Sequence, residues 1–180
     1  MSFEMRKAFY PLGLLTTGLF LAGTIVTPAY ADHGGDVIGP DNNSQAVKGQ
    51  NLTARGKLAL QRGRAQLDRS KINTSSGGGD IYVRDGRYGN NGSYGRMWCS
   101  KQDGNGDCDI FQITFNNSEL PARDYAYRAV GCHEFGHTGT LRHRSRSEDT
   151  DGNSCMRTYI SDTWAGRLDS HDINAINGNA

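Results

Sequence analysis

Apolar and polar residues alternate in the middle of the chain, which is the pattern of half-buried β-strands. The clearest case is residues 108–116, where Phe111, Ile113 and Phe115 fall on one face because successive side chains of a strand point to opposite sides. Two shorter stretches have the same character, residues 80–84 and 94–100. The pattern predicts three strands, the last with an aromatic face that can pack beneath a helix.

Apolar residues recur at helical spacing in three further stretches, residues 52–68, residues 125–138 and the tail after Leu168. In the second of these, Tyr127, Val130 and Phe135 are the expected core anchors. The tail begins with a capping residue, either Asp169 or Ser170. We class this combination of helices and strands as an α+β fold.

Residues 32–50 have neither pattern. They are rich in Gly, Asn and Asp, so we expect a flexible N-terminal arm or a short propeptide, followed by one folded domain at residues 51–180. A latency mechanism that uses a propeptide cysteine is excluded, because no cysteine precedes Cys99.

The composition fits one soluble domain, with 180 residues, 36% hydrophobic content and a net charge of +1. Charge this balanced does not favour nucleic acid or a membrane surface as a partner. The arginines and lysine of residues 52–68 are interpreted as a solvated helix face. We expect a monomer that acts on a protein or peptide.

The first residues have the features of an export signal. Arg6 and Lys7 precede the apolar run 8–26, and Ala29 and Ala31 form an A-x-A cleavage site. We expect residues 1–31 to be a signal peptide and the mature protein to be secreted, extracellular and without stable membrane association. An uncleaved membrane anchor is the alternative.

All four cysteines follow this segment, and an even number in an exported chain indicates two disulfides. Three pairings are possible. We favour Cys99 with Cys108, which closes a short polar loop, and Cys132 with Cys155, which ties the second helix to the segment around Met156.

Three histidines and one glutamate have the spacing of a catalytic zinc site. His133 and His137 lie one turn apart on one helix face, and Glu134 is offset by about 100°, beside the metal. His143 can reach the same ion only if the helix ends before it. We expect Gly139 to end it in the left-handed conformation.

These residues resemble the signature of the metzincin clan of zinc peptidases, HExxHxxGxxH followed by a methionine turn, and within the clan the small secreted bacterial peptidases of matrixin type. His133, Glu134, His137 and His143 match their positions, whereas Thr140 stands at the signature glycine. The resemblance implies a small twisted sheet, an active-site helix and a C-terminal helix, with Met156 as the methionine turn beneath the zinc.

The resulting hypothesis is a zinc endopeptidase in which Glu134 takes a proton from a zinc-bound water that attacks the peptide bond. The substrate is expected to pair with residues 94–100 as an edge strand. The alternative is a catalytically silent secreted zinc-binding protein of the same fold. The acidic runs 103–109 and 149–153 are weak candidates for Ca²⁺ sites, and ordinary turns explain them better.

Overall fold

The computed structural model describes residues 38–144, 154–157 and 166–179. The elements in chain order are β1 (Ser44–Gly49), α1 (Ala54–Leu67), β2 (Asn73–Ser76), β3 (Ile81–Gly86), β4 (Gly95–Gln102), β5 (Cys108–Asn116), α2 (Asp124–Thr138) and α3 (Ser170–Asn179). Helices and one sheet together give an α+β fold. Within the described residues no helix combines the length and apolarity of a membrane span. The expected signal segment, residues 1–31, lies outside them.

The five strands form one sheet in the order β2-β1-β3-β5-β4. The first four pair in parallel, and β4 pairs antiparallel with β5, with Met97 opposite Ile113. β5 has the bounds predicted from alternation, and its inward residues Phe111, Ile113 and Phe115 are fully buried. β4 pairs with β5 alone among the described strands, so it is an edge strand.

Helices α1 and α2 pack on each other through small residues. A Cβ atom at Gly63 of α1 would overlap the ring of Phe135 and approach the carbonyl oxygen of Gly131 in α2. Gly63 weakens the helical pattern of α1, but it allows the two backbones to approach closely. This contact fixes α2, which carries the histidines, against the rest of the core.

The expectation of a flexible arm over residues 32–50 is wrong for residues 44–49. These form β1, which lies between β2 and β3, with Gln45 and Val47 buried. Its backbone is bonded on both sides, and the Ala46 N–H also donates to a carboxylate oxygen of Asp80 over 2.6 Å. The folded domain therefore begins before residue 51. Composition did not reveal the strand, because both of its partners are distant in sequence.

The basic side chains of α1 are less solvated than the sequence suggested. Arg55 pairs with Asp124 of α2 at 3.2 Å. Arg62, and Arg69 just beyond the end of α1, donate to backbone carbonyls of segment 166–168, which leads into α3. These arginines join α1 to its neighbours, so this face of the helix holds other elements in place.

Candidate metal centre and active site

The three histidines meet at one point. His133 and His137 project from one face of α2 with their Nε2 atoms 3.1 Å apart, and the Nε2 atom of His143 lies 3.0 Å from that of His133. All three ligand atoms lie within 4.8 Å of one another. This group can therefore bind a single metal ion, as the spacing predicted.

Backbone carbonyls fix the orientation of two of these rings. The Nδ1 atom of His133 lies 2.7 Å from the carbonyl oxygen of Cys155, and that of His137 lies 2.6 Å from the carbonyl oxygen of Leu141. Because a carbonyl oxygen only accepts, both Nδ1 atoms must carry the hydrogen. The Nε2 lone pairs are then free and point towards the common centre, as in metal-ligating histidines.

Burial keeps these rings uncharged. It lowers the pKa of His133 well below its ordinary value, an effect that nearby His137 increases. Burial also lowers the pKa of His137 to about 4, and it lowers the pKa of His143. At neutral pH the site thus offers three neutral nitrogen donors, the set that zinc binds. Tetrahedral zinc would place its nitrogen ligands about 3.3 Å apart, so the observed 3.0 and 3.1 Å fit the ion.

The turn that brings His143 back to α2 does not use Gly139 as expected. Gly139 has φ of −92°, and Thr140 takes the left-handed conformation with φ of 73°. The N–H of Leu141 bonds to the carbonyl of Gly136, and that of Thr140 to the carbonyl of His137. This is a Schellman motif with Thr140 where glycine is usual. The left-handed residue falls at the position where the HExxHxxGxxH pattern has glycine, although the residue here is threonine.

Glu134 lies between α2 and the edge strand β4. It is only 4% exposed, and a Cβ atom at Gly95 would lie 2.5 Å from its Oε1 atom. Burial raises the pKa of Glu134 to about 8. A cation bound by the adjacent histidines would favour its ionised form. Glu134 is thus poised to take up and release a proton beside the histidines.

Met156 is fully buried against α2. Its sulfur packs on Gly136, which lies between His133 and His137 in the sequence. The disulfide Cys132–Cys155 joins α2 to the same segment. The second disulfide, Cys99–Cys108, joins β4 to β5. Both pairings are those that the sequence analysis favoured.

A buried ion-pair cluster supports the third histidine, and sequence analysis missed it. Arg144 is 4% exposed and pairs with Asp169 and Asp172. Its backbone N–H donates to the carbonyl of Met156 over 2.7 Å, and Asp172 also accepts from Ser154. The cluster connects the residue after His143 to the methionine segment and α3. A lone basic residue in a basic run gives no signal of such burial.

The start of α3 also belongs to this cluster. Asp169 caps the helix by accepting the N–H of Asp172, and Asp172 accepts the N–H of Asp169 in return. This is a capping box, and it resolves the choice between Asp169 and Ser170 in favour of Asp169. The carboxylates that cap α3 are therefore the same ones that neutralise Arg144.

A cavity of about 480 Å³ opens between the edge strand and the histidines. Its walls are Ile38, Met97, Trp98, Cys99, Phe111, His137, Arg142 and His143. Its lining is mainly apolar, with ligand nitrogens at one side, which suits the side chain of a substrate.

The acidic turn at residues 103–109 is closed by its own carboxylate. Asp103 accepts the N–H groups of Asn105 and Asp107 at 2.8 and 2.9 Å. These bonds are those of an ordinary Asx turn, the interpretation that the sequence analysis favoured over calcium. The second acidic run, residues 149–153, lies outside the described residues.

No protein-family model matches this chain, and no curated protein matches it by sequence. Among solved structures it is similar to that of myroilysin, a metalloprotease, with a TM-score of 0.51 and 13% identity. The match covers 81% of this chain and 96% of the other. At this identity the similarity concerns the fold, which is metallopeptidase-like.

Proposed function

We propose that this protein is a secreted zinc endopeptidase of metzincin type. The observation that carries the proposal is the convergence of three neutral Nε2 donors next to a buried carboxylate on the same helix. Three histidine ligands leave tetrahedral zinc one open position, as in catalytic sites, whereas structural sites fill all four. The metallopeptidase-like fold supports the same function.

In this proposal His133, His137 and His143 hold the zinc. When bound, zinc supplies a Lewis acid that polarises the peptide carbonyl and favours the ionisation of water at neutral pH. Glu134 accepts the proton of the attacking water and later donates it to the leaving amine. Burial alone raises the pKa of Glu134, and a cation at the histidines would lower it again, so that Glu134 is ionised when it accepts the proton.

Edge strand β4 would hold the substrate. Its backbone N–H and C=O groups are paired with β5 on one side only, as far as the described strands show. An extended polypeptide can therefore add to it as a further strand, next to the cavity at the histidines. Glu134, the proposed general base, lies in close contact with Gly95 of this strand, which supports the proposal.

Export is supported by the two disulfides, since such bonds persist in oxidising compartments. The A-x-A segment at residues 29–31 is the proposed cleavage site of the leader. We also propose that the mature protein acts as a monomer, without membrane association.

The experiment that tests this function is removal and replacement of the metal. Purified mature protein should cleave casein, lose this activity after dialysis against a zinc chelator, and regain it when zinc is added. Calcium alone should not restore it. Cleavage that survives complete removal of zinc would refute the proposal, and recovery with calcium alone would point to a calcium-dependent site.

A further inference from the structure

The outer face of edge strand β4 carries exposed side chains that take no part in the proposed metal binding or proton transfer. Along β4, Gly95 and Met97 are half-buried towards the helices, whereas Arg96 and Trp98 are exposed on the opposite face. No described helix packs on this outer face. Trp98 is 37% exposed, which is unusual for so large an apolar side chain.

Arg96 and Trp98 form a stacked pair. The Cζ atom of Arg96 lies 5.6 Å from the centre of the Trp98 ring, within the range of a cation–π interaction. Stacking orients the guanidinium group and leaves its N–H edge able to bind a carboxylate in a bidentate way. None of the ion pairs among the described residues involves Arg96.

The loop before β4 is held rigidly beside this pair. Asn116 is 4% exposed, and its amide donates to the carbonyl oxygens of Gly89 and Ser93 and to the side chain of Asn91. Its own oxygen accepts the N–H of Tyr88 at 3.1 Å. Because one buried side chain ties down four loop positions, the loop backbone that carries Tyr88 is pre-organised, which reduces the entropy cost of binding.

Loop and strand enclose a second cavity of about 430 Å³ on the outer face. It is lined by Tyr88, Asn91, Ser93, Gly95, Arg96, Trp98, Thr114 and Asn116. Tyr, Trp and Arg are the residue types enriched at binding hot spots.

Trp98 lies between this outer cavity and the cavity at the histidines. It also lines the cavity that contains His137 and His143. An extended chain paired with β4 would direct its side chains alternately to the two faces of the sheet. Side chains that enter the inner cavity would therefore alternate with side chains that lie beside Arg96 and Trp98.

We propose that Arg96, Trp98 and the loop at residues 88–93 form a substrate subsite for an acidic side chain. This inference rests on the proposed peptidase function, because the occupant is the polypeptide in the cleft. An acidic side chain is the expected occupant because its charge is opposite to that of Arg96. Arg87 is a second exposed cation at the loop, while the nearby carboxylate of Glu119 already accepts the N–H of Gly92 at 3.0 Å.

The test measures binding separately from catalysis. Zinc-loaded Glu134→Ala protein is titrated with fluorescently labelled short peptides in which one Glu is moved along an otherwise uncharged sequence. Each peptide is paired with its Gln counterpart. The dissociation constants are compared with those of the same protein carrying Arg96→Gln. The matched control is Arg84→Gln, which removes an exposed cation from β3 on the same face.

The Glu peptide should bind about fivefold more tightly than its Gln partner at the favoured positions, the advantage of one well-placed exposed charge pair. Arg96→Gln should abolish this ratio, and Arg84→Gln should leave it unchanged. A ratio that Arg96→Gln does not alter, or no peptide binding at all, overturns the inference. Casein cleavage by the unmodified protein is measured in parallel, so that failure of the peptidase function is recognised separately.

Discussion

The Nδ1 hydrogen of His133 bonds to the carbonyl oxygen of Cys155, and Cys155 is itself covalently linked to Cys132, the residue before His133. The hydrogen bond and the disulfide thus both connect the methionine segment to α2 at His133, the first proposed ligand. The disulfide is expected to affect function as well as stability, because hydrogen bonds to a metal-ligating histidine set its orientation and the metal affinity.

Removal of this disulfide by Cys132→Ala with Cys155→Ala should weaken zinc binding about tenfold, because the carbonyl that orients His133 stays in the chain but is no longer held in place by the covalent link. Removal of Cys99–Cys108 is the matched control. Either change should cost about 3 kcal/mol of stability by the chain-entropy argument, but the control should keep its zinc affinity. Chelator competition measures the affinity. Equal loss of zinc in the two variants would contradict this account.

Thr140 is expected to be a site of stored strain. It is β-branched, has φ of 73°, and its buried hydroxyl has no hydrogen-bond partner among the described residues. Thr140→Gly should therefore raise the free energy of unfolding by about 1 kcal/mol. Thr138→Gly, two residues earlier within α2, should lower it. Denaturant unfolding of both variants is the measurement, and a destabilised Thr140→Gly protein would contradict the prediction.

Arg144→Met should destabilise the protein by about 3 to 5 kcal/mol, because Asp169 and Asp172 would keep buried charge without its counterion. The control is Arg55→Met, which removes an exposed ion pair and should cost less than about 1 kcal/mol. Chemical denaturation compares them. Similar losses in both variants would mean that the buried cluster contributes no more than a surface pair.

The metal-free protein should lose stability in mild acid. The pKa of His137 falls from its ordinary 6.5 to about 4 on folding, so the unfolded chain binds the proton more readily. Neutral His137 contributes fully to the free energy of unfolding above pH 6.5. About 3 kcal/mol of that free energy is lost as the pH falls from 6.5 towards 4. The measurement is unfolding in chelator at both pH values. His137→Gln should show a correspondingly smaller loss; an equal loss would contradict the assignment.

Local patterns in the sequence were sufficient for much of the fold. Alternation gave the bounds of β5, and helical spacing gave α2 to within one residue. The histidines were predictable as a group because two of them are one helical turn apart. The third, His143, could join them only if α2 ended before it, and this was predicted as well.

Features that depend on distant contacts could not be predicted. β2 consists of polar residues at the other sheet edge and has no hydrophobic signal. The left-handed position was assigned to Gly139 because glycine adopts it without strain, but hydrogen bonds to α2 place Thr140 there. Arg144 is buried because two carboxylates from α3 reach it, and nothing near it in the sequence indicates that.

The most direct test of the central claim is to measure zinc content and casein cleavage in the same preparations of the mature protein and its Glu134→Gln variant. We predict one zinc ion per chain in both, with cleavage almost abolished in the variant, because the base contributes to catalysis and not to ligation. A protein that contains no zinc would contradict the metal site, and a Glu134→Gln variant that cleaves casein normally would contradict the assigned mechanism.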